Sequence, residues 1–239
     1  MRINRYLAAC GLASRRKAEE LVREGRVTLN GETLHSLAVT IHDGDQVRVD
    51  GMPVSPAADH IYVLLNKPKG YVTTAMDEHG RKTVLELVPA EPRIFPVGRL
   101  DINSTGVLLL TNDGELAHRL MHPRFKVAKV YRAALDRDFT ERDLRKFTAG
   151  LLLEDGPTQP CSARFFADSR RQVEVELREG RQQQVRRMFA ALNYHVQTLN
   201  RIRFGCLDVQ GVPRRQWRYL EQREVIALKQ SVKLSCEGA

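Results

Sequence analysis

Four consecutive apolar residues, Val107 to Leu110, follow directly on a polar stretch bracketed by two glycines, "GRLDINSTG", Gly98 to Gly106. A segment that is apolar at every position has no face to offer water and belongs in a core. The polar residues must therefore lie between a strand and that buried run. Arg99 and Asp101, two positions apart, can share one face of an extended stretch, where their side chains could meet. Either they brace a loop as a structural pair, or a carboxylate is being held at the lip of a core for chemistry.

The surrounding sequence is rich in strands. "IYVLL", "GVLLLT", "KVYRAAL" and "QVEVELRE" read as strands from Ile61 onward, with helical patterns between them. "YVLLNKPKGYVTT" is an apolar strand that ends in a Pro and Gly turn carrying Lys67 and Lys69. "TNDGELAHRLMHP" starts on the Asn112-Asp113 capping signal, continues as a short helix with Leu116 and Leu120 inward, and stops at Pro123. Farther on, Val185, Met188, Phe189 and Leu192 form an i, i+3, i+4, i+7 stripe that predicts a helix starting near Arg181. Arg186 and Arg187 flank the stripe, within reach of a carboxylate at the edge of the core.

Charge points to a polyanionic partner. Lys and Arg outnumber Asp and Glu by 38 to 29, for a net charge of +9, and phosphates would steer association with such a surface. Cys10, Cys161, Cys206 and Cys236 stand far apart with no CxxC spacing, which suggests neither a zinc site nor a disulfide framework and fits a reducing cytoplasm. No run reaches the roughly 20 apolar residues of a membrane span, and the N-terminus lacks the apolar segment of a signal peptide. No convincing GxGxxG or P-loop pattern is present. His118 and His122 fall four apart on the short helix, but no further ligands with metal spacing accompany them, which favours RNA-facing or core histidines over a metal site.

The first 50 residues read as a compact basic module. Ser14 can cap a helix whose Ala18, Leu21 and Val22 share one face and which stops at Gly25. Arg15, Arg16, Lys17, Arg23 and Arg26 cluster around it, and Asn30-Gly31 marks a tight hairpin. In "RINRYLAACGLASRRKAEELVREGRVTLNGE" these features occur in an order that resembles the S4 RNA-binding module. Residues 51–60, "GMPVSPAADH", carry two prolines and no periodicity and read as a linker.

Behind that module, "NKPKGYVTT", "GRLDINSTGVLLLTNDGELAHRLMHP", "KVYRA" and "EGRQQQVRRMF" closely resemble, in this order, the RsuA/RluB family of ribosomal RNA pseudouridine synthases. The resemblance implies an α+β protein: a small, mostly helical S4-like domain at 1–50, and a catalytic domain at 61–239 on a mixed, mainly antiparallel sheet, with the active cleft across its middle. It implies that Asp101 is the catalytic aspartate and that Tyr131 lies against the target base. Arg186 best matches the basic residue paired with the aspartate, although the glutamines of "GRQQQV" depart from many relatives and leave Arg187 and Arg181 as alternatives. Arg99 joins this catalytic group. Lys67, Lys69, Lys126, Lys129, Arg181 and Arg187, with the basic residues of the module, are the candidate RNA contacts. The expected partners are ribosomal RNA and ribosome assembly intermediates, with the protein acting as a monomer. "SRRKAEELVREGRVTLNG" leans toward relatives acting on large-subunit RNA, whereas "GRQQQVRRMFAAL" is similar to the small-subunit enzyme.

The chemistry suits the residues. Pseudouridine formation breaks the bond from ribose C1′ to uracil N1 and joins C1′ to C5, with no net gain of atoms, so no nucleotide or redox cofactor is expected, which fits the absence of a GxGxxG or P-loop pattern. A carboxylate can act there as nucleophile or as base. Burial disfavours a carboxylate's charge and a nearby guanidinium restores it. A base hidden in folded RNA must be everted, and an aromatic ring can stack on it. The competing expectations are a noncatalytic S4-type RNA-binding or ribosome-assembly factor, and a metal-dependent nuclease resting on His118 and His122 alone.

Overall fold

A computed structural model describes residues 1–57, 59–75, 77–89 and 91–235, so Cys236 lies outside the described residues. The chain divides into two compact units.

The smaller unit holds α1 (Ile3–Ala9), α2 (Arg15–Arg23), and the strands β1 (Val27–Leu29), β2 (Glu32–Thr33), β3 (Val47–Val49) and β4 (Met52–Pro53), in sheet order β2-β1-β3-β4. Ser14 caps α2 by accepting from the Lys17 N–H at 3.2 Å, and Ala18, Leu21 and Val22 are buried with Ile3, Leu7 and Val27. Both hairpins turn through left-handed pairs, Asn30-Gly31 and Asp50-Gly51, the backbone a two-residue loop between twisted strands needs. β4 pairs with β3, so the segment expected as a linker starts with an ordered strand.

The larger unit begins at β5 (Tyr62–Lys67). It continues with β6 (Phe95–Pro96), β7 (Thr105–Thr111), α3 (Gly114–Met121), β8 (Lys129–Leu135), α4 (Glu141–Ala149), β9 (Leu152–Leu153), β10 (Gly156–Pro157), β11 (Ser162–Phe166) and β12 (Ser169–Leu177). The last elements are α5 (Gln184–Ala190), β13 (Val196–Phe204), β14 (Leu207–Asp208), β15 (Trp217–Tyr219) and α6 (Gln222–Ser231). The main sheet runs β11-β12-β8-β13-β7-β5-β15, with β14 on β13 and β6 on β7. β7 and β13 are parallel, and the pairs β11–β12, β12–β8, β8–β13 and β15–β5 are antiparallel. This is the expected mixed, mainly antiparallel α+β architecture.

Apolar residues at alternate positions bury the two faces in different halves of the sheet. One face of β12, β8 and β13 places Val173, Val175, Ala133, Leu135 and Leu199 against Val185, Met188 and Phe189 of α5, where Phe139 meets Tyr194 edge-on at 4.8 Å between ring centroids. The opposite face of β7 and β5 places Val107, Leu109 and Leu64 against Leu116, Ala117 and Leu120 of α3 and Leu228 of α6. β13 lies where the two packings meet.

Candidate active site

The parallel pairing sets Arg201 of β13 beside Gly106 of β7, and the antiparallel pairing sets it beside Tyr131 of β8. Tyr131, Arg201 and Gly106 therefore form one row across three strands and share a face. Gly106 has φ +108°, and a Cβ there would lie 2.1 Å from the Arg201 carbonyl oxygen. Glycine is thus what lets the polar segment enter the ladder this close to its neighbour.

Asp101 lies in the turn that leads into β7. The Ser104 N–H donates to the Asp101 carbonyl at 2.9 Å, and the Ser104 hydroxyl lies 3.5 Å from Asp101 Oδ2. The segment is a tight turn rather than the extended stretch expected, because its carbonyls are gathered by the "NKPKGYVTT" segment. Lys67 Nζ donates to the carbonyls of Asp101 and Ser104 at 3.1 and 2.9 Å and to that of Pro68 at 3.1 Å, with the Ile102 carbonyl at 3.5 Å. The Gly70 N–H donates to the Ile102 carbonyl at 2.8 Å. The Thr73 hydroxyl donates to the Leu100 carbonyl at 2.7 Å, and the Leu100 N–H approaches the same hydroxyl at 3.3 Å. The two motifs are parts of one object: the first is the frame of the turn that carries Asp101.

Lys67 does not face RNA as expected, because it is fully buried at 0% exposure. Burial pushes its ammonium down to about 8; the Asp101 charge supports it, and Arg201 and Arg214 oppose it. Arg201 is 2% exposed. Its Nε donates to the Val107 carbonyl at 2.8 Å, and its Nη2 is buried without a hydrogen-bond partner. A buried donor left open is costly, so Nη2 marks a place where an acceptor belongs. Lys129, on the Tyr131 face of β8, is also pushed down to about 8 by burial and then by Arg201. Arg214 donates to the Asn66 and Asn200 side-chain oxygens at 2.6 and 3.3 Å. Two buried cations, Lys67 and Arg201, are thus electrostatically linked and Lys67 is linked in turn to Asp101, whereas Arg214 is exposed.

The arginines expected to hold Asp101 are engaged elsewhere. Arg186 donates to the Val196 carbonyl at 2.8 Å. Arg187 pairs with Asp155 at 2.8 Å, and Arg181 grips the β9–β10 hairpin through Asp155, the Gly156 carbonyl and the Pro157 carbonyl. All three serve to fasten α5 and its leading loop. Arg99 is exposed and, among the described residues, forms no ion pair with Asp101. Arg201 is a buried guanidinium in the same strand row as Tyr131 that the sequence reading did not single out.

Tyr131 is partly buried against the α5 side of the core. Lys69 and Lys126 are exposed. In the smaller unit Arg15, Arg16, Lys17, Arg23 and Arg26 are all exposed, but Lys17 pairs with Glu20 at 2.7 Å and Arg26 with Asp50 at 2.6 Å. Among the described residues, no group of three His, Cys, Asp or Glu side chains could hold a metal ion, and no helix is long and apolar enough to cross a membrane.

Comparison with known proteins places the chain in a family. The RNA pseudouridylate synthase family model matches residues 61–191, and the S4 domain model matches residues 1–47. An uncharacterized RNA pseudouridine synthase of Aquifex aeolicus is 42% identical over 98% of this chain and 96% of its own. Ribosomal large subunit pseudouridine synthase B of Bacillus subtilis is 40% identical over 95% of each chain. The dual-specificity RNA pseudouridine synthase RluF of Escherichia coli is 33% identical over 95% of this chain and 78% of its own. A crystal structure described as a pseudouridylate synthase superposes with a TM-score of 0.70 at 29% identity, covering 95% of this chain and 99% of that one. With its S4 domain ahead of a pseudouridine synthase domain, this chain belongs to the RsuA/RluB family of RNA pseudouridine synthases.

Proposed function

We propose that this isomerase converts a uridine of ribosomal RNA to pseudouridine and that Asp101 is the carboxylate acting at the ribose. The observation that supports this most is the construction around Asp101. Lys67, Gly70 and Thr73 fix the main chain of its turn, as preorganised chemistry requires. Arg201, with an unpaired buried Nη2 in the same row as Tyr131, is the group we assign to support the anion. Tyr131 stacks on the everted uracil. As C1′ leaves N1 and joins C5, C5 gives up its proton and N1 takes one up, so atoms balance without any further reactant. Large-subunit RNA is favoured as the substrate because the Bacillus subtilis relative is named for that subunit.

Asp101→Asn is expected to bind ribosomal RNA from cells lacking this protein about as tightly as the unaltered enzyme. It should lose isomerisation by at least roughly 10²–10⁴-fold, the range over which a positioned catalytic group acts. Release of tritium from C5-labelled uridine reads the reaction directly. Pseudouridine formation by the variant at the normal rate would overturn the assignment, and absence of product with the unaltered enzyme on every ribosomal RNA would overturn the substrate class.

A further inference from the structure

The two histidines at the end of α3 are not used in the reaction described above. His118 and His122 are exposed and meet edge-on at 5.6 Å between ring centroids. His122 meets Phe125 edge-on at 6.3 Å, and the Arg124 guanidinium lies 4.5 Å from the Phe125 centroid, with Arg119 at 5.9 Å. His122 Nδ1 accepts the Arg124 backbone N–H at 3.2 Å. In the neutral ring Nε2 therefore carries the proton, and the ring presents a donor away from the chain. Arg124 and Lys126 are both exposed, and their side chains form no ion pair among the described residues. The sheet arginines differ: Arg132 and Arg164 are committed to Glu174, and Arg203 to Glu176. Lys126 also holds a left-handed backbone, φ 50° and ψ 38°, uncommon for a non-glycine residue.

This turn is fastened to both segments of the candidate active site. The Gly98 N–H donates to Met121 Sδ at 3.0 Å, three residues before Asp101. Lys126 leads into β8, which carries Tyr131.

We propose that residues 118–126 form a subsite for a single-stranded nucleotide adjacent in sequence to the target uridine, its base on the His122 ring and its phosphate between Arg124 and Lys126. This rests on the reading of the enzyme as acting on RNA. Aromatic rings interleaved with uncommitted cations are how proteins hold unstacked nucleotides. Extruding a uridine unstacks its neighbour as well, and a surface beside the cleft restores that stacking.

His122 could instead be only a cap for the turn, and two substitutions separate these roles. His122→Asn keeps an acceptor for the Arg124 N–H and removes the ring, whereas His122→Phe keeps a ring and removes the acceptor. On ribosomal RNA from cells lacking the enzyme, His122→Asn is expected to raise KM at least about fivefold, as removal of a stacking ring should, with kcat changed far less. His122→Phe should stay near the unaltered KM. The double variant Arg124→Ala/Lys126→Ala should make the dependence of log affinity on log salt shallower by about 0.7, the value for one single-strand phosphate. Ultraviolet crosslinking of the same RNA should join the 118–126 peptide to a nucleotide within a few positions of the modified one, and to fewer molecules in His122→Asn. The reverse order, with Asn normal and Phe impaired, assigns His122 to capping and overturns the proposal, as does an absent or remote crosslink. Should the unaltered enzyme form no pseudouridine on this RNA, affinity and crosslinking still decide the subsite separately from the reaction.

Discussion

Lys67 concentrates several demands on one side chain. Its Nζ has three protons and reaches four carbonyl oxygens, three of them in the turn at Asp101, Ile102 and Ser104. An exposed lysine in a Pro and Gly turn would be an RNA contact, and the local sequence gives no means of telling the two apart, since the three acceptors in the Asp101 turn stand 34 to 37 residues away in the chain. The consequence is a pH dependence with opposite signs for activity and stability. Folding lowers the Lys67 pKa from 10.5 to about 8, so between those values the unfolded chain binds more protons. The contribution of Lys67 to stability therefore rises with pH over that window. The brace itself weakens, because a neutral amine has fewer donors for the carbonyls. Single-turnover isomerisation is expected to fall as pH passes through about 8 while the melting temperature does not fall with it. Lys129 is pushed to a similar value, so the alkaline limb should persist in Lys129→Met. A parallel loss of activity and melting temperature would show that unfolding, not loosening of the turn, sets the limb.

Among the elements, the β7–β13 pair frames the site proposed for the chemistry. The helical stripes of α2, α3 and α5 and the Asn30-Gly31 hairpin are legible in the sequence, because each depends on neighbours within a turn or two. β13 is not. Arg201 and Arg203 in "LNRIRFG" stand two apart and should share a face, but the pairing shifts between them: Arg201 sits opposite Tyr131 and Arg203 opposite Val130. The bulge turns Arg203 outward to Glu176 and leaves Arg201 buried. The sequence therefore shows three arginines plainly in α5 and its leading loop but not that Arg201, in a strand whose alternation is broken, is the buried one that we propose supports Asp101. Gly106 is the other half of this junction. Gly106→Ala combines a φ of +108° with a clash at 2.1 Å against backbone, and an expected loss of about 3 kcal/mol or more follows from strain and overlap together. Gly180→Ala is the control, since its added methyl meets only Lys129, with Nζ at 3.7 Å. Urea titrations of the two variants should separate clearly, and equal midpoints would mean the parallel junction accommodates a side chain.

At the scale of the whole molecule, a net charge of +9 says that the partner is polyanionic without saying which cations meet it. The order of motifs along the chain identifies both domains, because a family pattern is linear. Which charges are neutralised internally depends on contacts between distant residues. In the smaller unit that distinction is sharp. Arg26 is held by Asp50 at 2.6 Å and by Glu24 at 3.3 Å, and Lys17 by Glu20 at 2.7 Å. Arg15 and Arg16 are exposed at the first turn of α2 and, among the described residues, have no ion pair. Phosphate binding by a cation already neutralised releases fewer counterions, so the salt dependence of RNA affinity should depend on Arg15 and Arg16 more than on Lys17 or Arg26. Reversing both, Arg15→Glu/Arg16→Glu, is expected to make the slope of log affinity against log salt shallower by roughly 0.7 to 0.9 for each phosphate that is no longer neutralised. Lys17→Glu should change the slope by less than either arginine. Filter binding of ribosomal RNA over a series of salt concentrations measures this. An unchanged slope in the double reversal would remove α2 from the RNA surface and leave the larger unit to carry the electrostatic part of recognition alone.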